Sequence, residues 1–116
     1  MTGLIFAALL VLTPPQDNLS GSRNAQTEAD FRCFAAGLVM AEVSGDDAEM
    51  VNAGSMVAFY YLGRLEGREP SIDWVARGVE VGTAKGEELL PELARCGEEF
   101  AAKGEDMVKK AGVQGS

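Results

Sequence analysis

Apolar side chains recur at three- to four-residue spacing through four successive segments, which is the spacing of one face of an α-helix. Each segment is bounded by start and stop signals such as Asp, Ser, Gly and Pro. The segments run from about Glu28 to Gly45, from Asp46 to Gly67, from Ser71 to Thr83 and from Leu89 to Gly112. The third segment also fits a strand, but a lone strand has nothing to pair with. The spacing therefore predicts an all-α protein, a small bundle of about four helices.

The second predicted helix is apolar around most of its girth, which is typical of a central, buried helix. Gly54 and Gly63 lie inside it, and glycine costs about 1 kcal/mol against alanine in a helix interior. We expect both glycines to allow the close approach of a neighbouring helix. The methionines Met40, Met50 and Met56 are predicted to fill the core, with an adaptable binding groove as the alternative.

The N-terminus resembles a signal peptide. Nine consecutive apolar residues, Leu4 to Leu12, precede two prolines, and a bilayer-spanning helix needs about 20 apolar residues. We predict that residues 1–25 are a signal-like apolar segment and linker, followed by a helical domain over residues 26–116. Ser20-Gly21-Ser22 and the stretch ending at Ala25 are candidate cleavage sites. The alternative is that Leu4 to Leu12 forms a core helix. Export predicts a periplasmic or secreted protein without a stable membrane span after processing.

The charge balance argues against a nucleic-acid partner. Ten basic and eighteen acidic side chains give a formal net charge of −8, which repels phosphate. The chain has no histidine, and so it lacks the usual general base and the usual transition-metal ligand. We therefore expect no cofactor, no metal site and no catalytic residue.

Two cysteines, Cys33 in the first predicted helix and Cys96 in the last, form an even count in an apparently exported small protein. This pattern favours a structural disulfide. Two buried free thiols are the main alternative. Chemistry at either thiol is the weakest interpretation, because the spacing is unlike Cys-x-x-Cys and no partner base is apparent.

The segment FYYLGRLEGREP, from Phe59 to Pro70, holds the candidate binding residues Tyr60, Arg64 and Arg68. In a functional interpretation, the two arginines form an anion-binding fork to which Tyr60 adds a hydroxyl. In the structural interpretation, which we favour, Tyr61 lies in the core and Tyr60 at its rim. The arginines are then neutralised by nearby acidic residues, namely Glu66, Glu69 or Asp73.

The order of three motifs resembles small exported bacterial proteins of unknown function. These motifs are FRCFAAGL in the first helix, YYLGRLEGREP closing the second and ELARCGEEF in the last. The resemblance covers about Phe31 to Gly104 and implies no activity. More distantly, the layout is similar to HdeA-type periplasmic acid-stress chaperones, which are small, helical and tied by one disulfide. That layout implies a bridge between Cys33 and Cys96, although the span between the cysteines is longer here.

Three functions are compatible with these features. The leading hypothesis is a non-enzymatic exported protein that binds other proteins, for example as a stress chaperone of the HdeA type. The second is a small immunity or inhibitor protein that blocks an envelope enzyme with its acidic surface. The third and most remote is a small-ligand enzyme built on Tyr60 and Arg64. The apolar second helix also suggests homo-oligomerisation.

Overall fold

The structure, a computed structural model, describes residues 18–112, which are helical with no strand among them. The elements are α1 (Ala25–Val43), α2 (Ala48–Arg68), α3 (Trp74–Leu89), a 3-10 turn (Leu90–Glu92) and α4 (Leu93–Ala111). The all-α prediction is confirmed. The last three elements follow one another without a loop, so the chain has three continuous helical stretches instead of about four separate helices. The predicted break at Thr83 to Gly86 is a bend at Lys85, whose φ is −132°. The signal-like Leu4 to Leu12 lies outside the described residues.

Helix α1 forms the centre of the bundle. It has ten buried residues, whereas α2 has five. The prediction that the second helix is the most buried one is therefore wrong. The prediction of core filling is also wrong for Met50 and Met56, which are exposed on α2. The physical reason is that α1 packs against both α2 and α3, while much of the apolar surface of α2 has no neighbour within the described residues.

Helices α1 and α2 touch backbone to backbone at Gly37 and Gly54. A Cβ atom added to Gly54 would lie 2.8 Å from the Gly37 carbonyl oxygen and 2.8 Å from the Ala41 nitrogen. The predicted close approach is confirmed at Gly54. It is wrong for Gly63, because no other helix among the described residues comes within 4 Å of a Cβ added there.

Residues 18–24, predicted to be a linker, pack against the first turns of α1. Leu19 and Ser20 are buried, and their backbone N–H groups each donate a 2.9 Å hydrogen bond to the Glu28 carboxylate. Asn24 is the N-cap of α1, so the helix begins three residues before the predicted start. The Glu28 carboxylate therefore holds Leu19 and Ser20 against α1 and does not mark the start of the helix.

The predicted disulfide between Cys33 and Cys96 is confirmed. It joins α1 to α4 with a Cα–Cα distance of 5.6 Å, and both residues are fully buried. Tyr61 of α2 adds a second link to α4, because its hydroxyl donates to the Glu99 carboxylate at 2.7 Å. Tyr61 is buried, as predicted. Burial, and then the hydrogen bond to Glu99, raises the pKa of Tyr61 well above its ordinary value, so the hydroxyl remains a donor.

The helix ends agree in part with the predicted signals. Lys109 and Lys110 occupy the last turn of α4, and Gly112 ends it with a φ of 71°. Helix α3 is capped by Asp73 and not by Ser71, because the Asp73 side chain accepts a hydrogen bond from the backbone N–H of Ala76. Within residues 18–112, no helix combines the length and the apolar character needed to span a bilayer.

Candidate functional site

The structure brings Tyr60, Arg64 and Arg68 together on one side of α2, as their four-residue spacing predicts. Arg64 Nη1 donates to the Tyr60 hydroxyl at 3.1 Å, and Arg64 Cζ lies 5.7 Å from the centroid of the Tyr60 ring. The same ring packs edge-on against Phe100 of α4, with 5.5 Å between the ring centroids. Tyr60 is half-buried, and so it lies at the rim of the core.

The counter-ion of both arginines is Asp30 of α1. Arg64 Nε donates to Asp30 Oδ2 at 3.0 Å, and Arg68 Nη2 donates to the same oxygen. Gln26 Nε2 donates to the other oxygen of Asp30 at 3.1 Å. The Asp30 side chain is 1% exposed, and a buried carboxylate is stable only when it is paired and hydrogen-bonded. This cluster ties the first turns of α1 to the last turns of α2.

The prediction that Glu66, Glu69 or Asp73 neutralises the two arginines is wrong. Because α2 runs antiparallel to α1, its last two turns lie beside Asp30, which is distant in sequence. The sequence contained a signal for this role. Asp30 stands four residues before Phe34 and therefore lies on the buried face of α1.

These contacts keep the guanidinium group of Arg64 in its charged form. Burial by itself lowers the pKa of Arg64, but the hydrogen bonds with Asp30 and Tyr60 outweigh it and raise the pKa above its ordinary value. The guanidinium group stays charged at every physiological pH. Two nitrogens of each guanidinium already donate to groups of the chain itself, namely Nε and Nη1 of Arg64 and both Nη atoms of Arg68. In the described structure, the ion pairs of Arg64 and Arg68 with Asp30 link α2 to α1.

An apolar groove, which the sequence pattern did not reveal, lies between α2 and α3. It has a volume of about 170 Å³ and no charged side chain in its lining. We call it the α2–α3 groove. Its lining consists of Phe34, Leu38, Ser55, Ala58, Phe59, Leu62 and Val75. Phe59 is 73% exposed at this groove, and Val75 is 46% exposed.

The apolar surface continues beyond the groove along α3. Val79 lies one turn after Val75 and is 56% exposed. Of the apolar residues Trp74, Val75 and Val79 of α3, only Trp74 is buried. Helix α3 packs on α1 through Gly78, where an added Cβ would lie 2.4 Å from the Phe34 ring. Val75 and Val79 lie to the side of this close contact and stay exposed.

A second, polar cleft lies between the end of α1 and the bend in α3. It has a volume of about 570 Å³, and we call it the α1–α3 cleft. Its charged lining residues are Glu42, Lys85, Glu87 and Glu88. Lys85 Nζ lies 4.0 Å from a Glu88 carboxylate oxygen. Three acidic side chains and one basic side chain make the cleft negative.

Within residues 18–112, no group of three or more Cys, Asp and Glu side chains is placed to hold a metal ion. Comparison of the chain with protein-family models, with curated proteins and with solved structures finds no match in any of the three.

Proposed function

We propose that this chain is a non-enzymatic, exported protein that acts by binding another protein through the α2–α3 groove. The observation that carries the proposal is the exposure of Phe59 and Val75 at one apolar groove, with Val79 exposed one turn further along α3. Large exposed apolar side chains that are contiguous in this way are typical of a protein-binding surface. The non-enzymatic part rests on the absence of histidine and on the use of both cysteines in the disulfide.

Export is supported by the disulfide, because disulfides persist mainly in oxidising compartments. Intact mass of the protein from its own cells tests this part of the proposal. We expect thiols that alkylate only after reduction and loss of the apolar segment Leu4 to Leu12. Cleavage at Ser20-Gly21-Ser22 would remove the buried Leu19, so we expect the mature chain to begin before that residue. An uncut chain with two free thiols would contradict export.

Binding through the groove is tested by replacing, one at a time, two exposed side chains that line it. Phe59→Ser and Val75→Ser are expected to reduce recovery of a cross-linked partner about tenfold, because each removes apolar contact area from the interface. The measurement is quantitative mass spectrometry of partners cross-linked to the tagged full chain in its own cells. Because Phe59 is largely exposed, its loss should change folding stability by less than about 0.5 kcal/mol.

Met107→Ser is the matched control for this experiment. Met107 is an exposed apolar residue on α4 and does not line the groove. Partner recovery that falls equally for Met107→Ser and Phe59→Ser, or that falls for neither, would overturn the proposal. A single stoichiometric partner would identify an immunity or inhibitor protein, whereas many groove-dependent partners would identify a chaperone.

A second candidate, an acid-responsive chaperone, is favoured by the carboxylates that hold the fold together. Asp30 joins α1 to α2, Glu28 holds the incoming chain, and Glu99 binds the hydroxyl of Tyr61. Protonation of Glu28 would weaken the carboxylate that accepts hydrogen bonds from Leu19, Ser20 and Arg32. Acid would therefore loosen contacts of the central helix and expose more apolar surface, which is the behaviour that such a chaperone requires.

Glu28→Gln tests the acid response. Burial by itself raises the pKa of Glu28, but hydrogen bonds from Leu19, Ser20 and Arg32 outweigh burial and lower it below 4.5. A lowered folded-state pKa stabilises the fold above the unfolded-state value, and the stabilisation is lost as pH falls through the folded-state value. We expect Glu28→Gln to lower the free energy of unfolding by about 2 kcal/mol at neutral pH. Urea unfolding at about pH 7 and about pH 3 measures the effect, which should shrink at the lower pH.

Glu105→Gln is the control, because Glu105 is exposed on α4. It should change the free energy of unfolding by less than about 0.5 kcal/mol at either pH. A Glu28→Gln effect that is equally large at both pH values would contradict a role for the ionised carboxylate.

A further inference from the structure

The two ends of the α2–α3 groove differ from its middle in charge. Glu66 lies one turn after Leu62, and four-residue spacing places it on the same face of α2 as the groove lining. At the other end, Glu42 lies one turn after Leu38 on α1, and it lines the negative α1–α3 cleft. The groove lining itself has no charged residue. An apolar centre is thus flanked by a carboxylate at each end.

The dimensions of the groove suit a short helix. From Ser55 to Leu62 the groove follows two turns of α2, a length of about 10 Å. An amphipathic helix that lies in such a groove presents apolar residues at i, i+3 or i+4, and i+7. Residues one turn further out on that helix would then lie near Glu66 and near Glu42.

On the basis of the proposed function, we propose that the occupant of the α2–α3 groove is an amphipathic helix of another protein with a basic residue at each end of its apolar stripe. Lys or Arg at these positions complements Glu66 at one end and Glu42 with Glu87 and Glu88 at the other. A second copy of the chain is disfavoured, because two chains of net charge −8 repel each other. An anionic bilayer is disfavoured for the same reason. The chain's own apolar segment, Leu4 to Leu12, has no basic side chain.

Three fluorescent peptides of about 16 residues test this inference against the full chain. All three contain the same apolar stripe, and their ends contain lysine, glutamate or serine. Fluorescence anisotropy measures each dissociation constant. We expect the lysine-ended peptide to bind about tenfold more tightly than the glutamate-ended one, and the ratio to shrink in about 1 M salt. Equal affinity of the three peptides would overturn the inference.

A charge-reversed variant tests whether Glu42 and Glu66 cause the preference for the lysine-ended peptide. Glu42→Lys combined with Glu66→Lys should abolish the preference for lysine ends or reverse it. The matched control is Glu98→Lys combined with Glu105→Lys, which makes the same change of net charge on exposed positions of α4. A preference that both double variants change equally would reflect net charge alone and would overturn the inference.

The inference and the proposed function fail in different ways. Partner recovery that depends on Phe59, together with peptides that show no preference for basic ends, would overturn the inference alone. Partner recovery that does not depend on Phe59 would overturn the proposed function. Loss of self-association in Phe59→Ser, measured by analytical ultracentrifugation, would identify a second copy as the occupant and overturn the inference.

Discussion

Replacing both cysteines, as Cys33→Ala with Cys96→Ala, is expected to lower the free energy of unfolding by about 4 kcal/mol. The bridge joins residues 63 positions apart, and closing a loop of that size removes much of the conformational entropy of the unfolded chain. For a domain of this size, such a loss lowers the melting temperature by about 20 °C. Thermal and urea unfolding followed by circular dichroism measure both quantities.

The reduced wild-type chain is the natural comparison for this double variant. It should show the same loss of stability, because both lack only the bridge. Stability that does not change on reduction would mean that the other interactions of α4 with α1 and α2 hold it in place without the bridge. Tyr61 of α2 donates to Glu99, the ring of Tyr60 of α2 contacts Phe100, and Arg95 donates to the Ala29 carbonyl oxygen of α1.

Gly54→Ala is expected to lower the free energy of unfolding by about 3 kcal/mol, even though alanine is the better helix former. The added Cβ would meet backbone atoms of Gly37 and Ala41, each at 2.8 Å. Backbone atoms cannot move aside as the end of a flexible side chain can. Helices α1 and α2 would have to separate along their crossing and lose contacts of the buried core. Urea unfolding measures the change.

Gly63→Ala is the matched control, since it makes the same chemical change in the same helix. Within residues 18–112, no neighbouring helix comes within 4 Å of a Cβ at Gly63, so the substitution alters helix propensity there. We expect Gly63→Ala to raise the free energy of unfolding by about 1 kcal/mol. Opposite signs for the two substitutions would establish the crossing at Gly54, and equal signs would contradict it.

The helical class and the disulfide were predictable from the sequence because they depend on local spacing and on the cysteine count. The identity of the central helix was not predictable in this way. Hydrophobicity favoured α2, but the position of a helix in a bundle depends on how closely its neighbours approach. The small residues Ala35, Ala36 and Gly37 let neighbouring helices approach α1 closely. Because their side chains are small, they contribute little to a hydropathy pattern.

The candidate site was predictable only in part. Tyr60, Arg64 and Arg68 were recognised because the segment from Phe59 to Pro70 places tyrosines and arginines together at the end of an apolar helix. Their counter-ion, Asp30, lies in a different helix, so pairing it with them requires the antiparallel arrangement of α1 and α2. The groove depends on the same tertiary information. Phe59 and Val75 resemble core residues until the packing of α3 on α1 leaves them exposed.

The position of the disulfide in the chain has a consequence for resistance to proteolysis. The bridge makes a covalent ring of residues 33–96, and every residue that lines the α2–α3 groove lies within that ring. A protease that cuts the exposed connection between α2 and α3 would leave the two pieces joined. A cut after Cys96 would shorten α4 and leave the ring closed. A single cut within the ring therefore does not release any residue that lines the groove, while the ends of the chain can be trimmed.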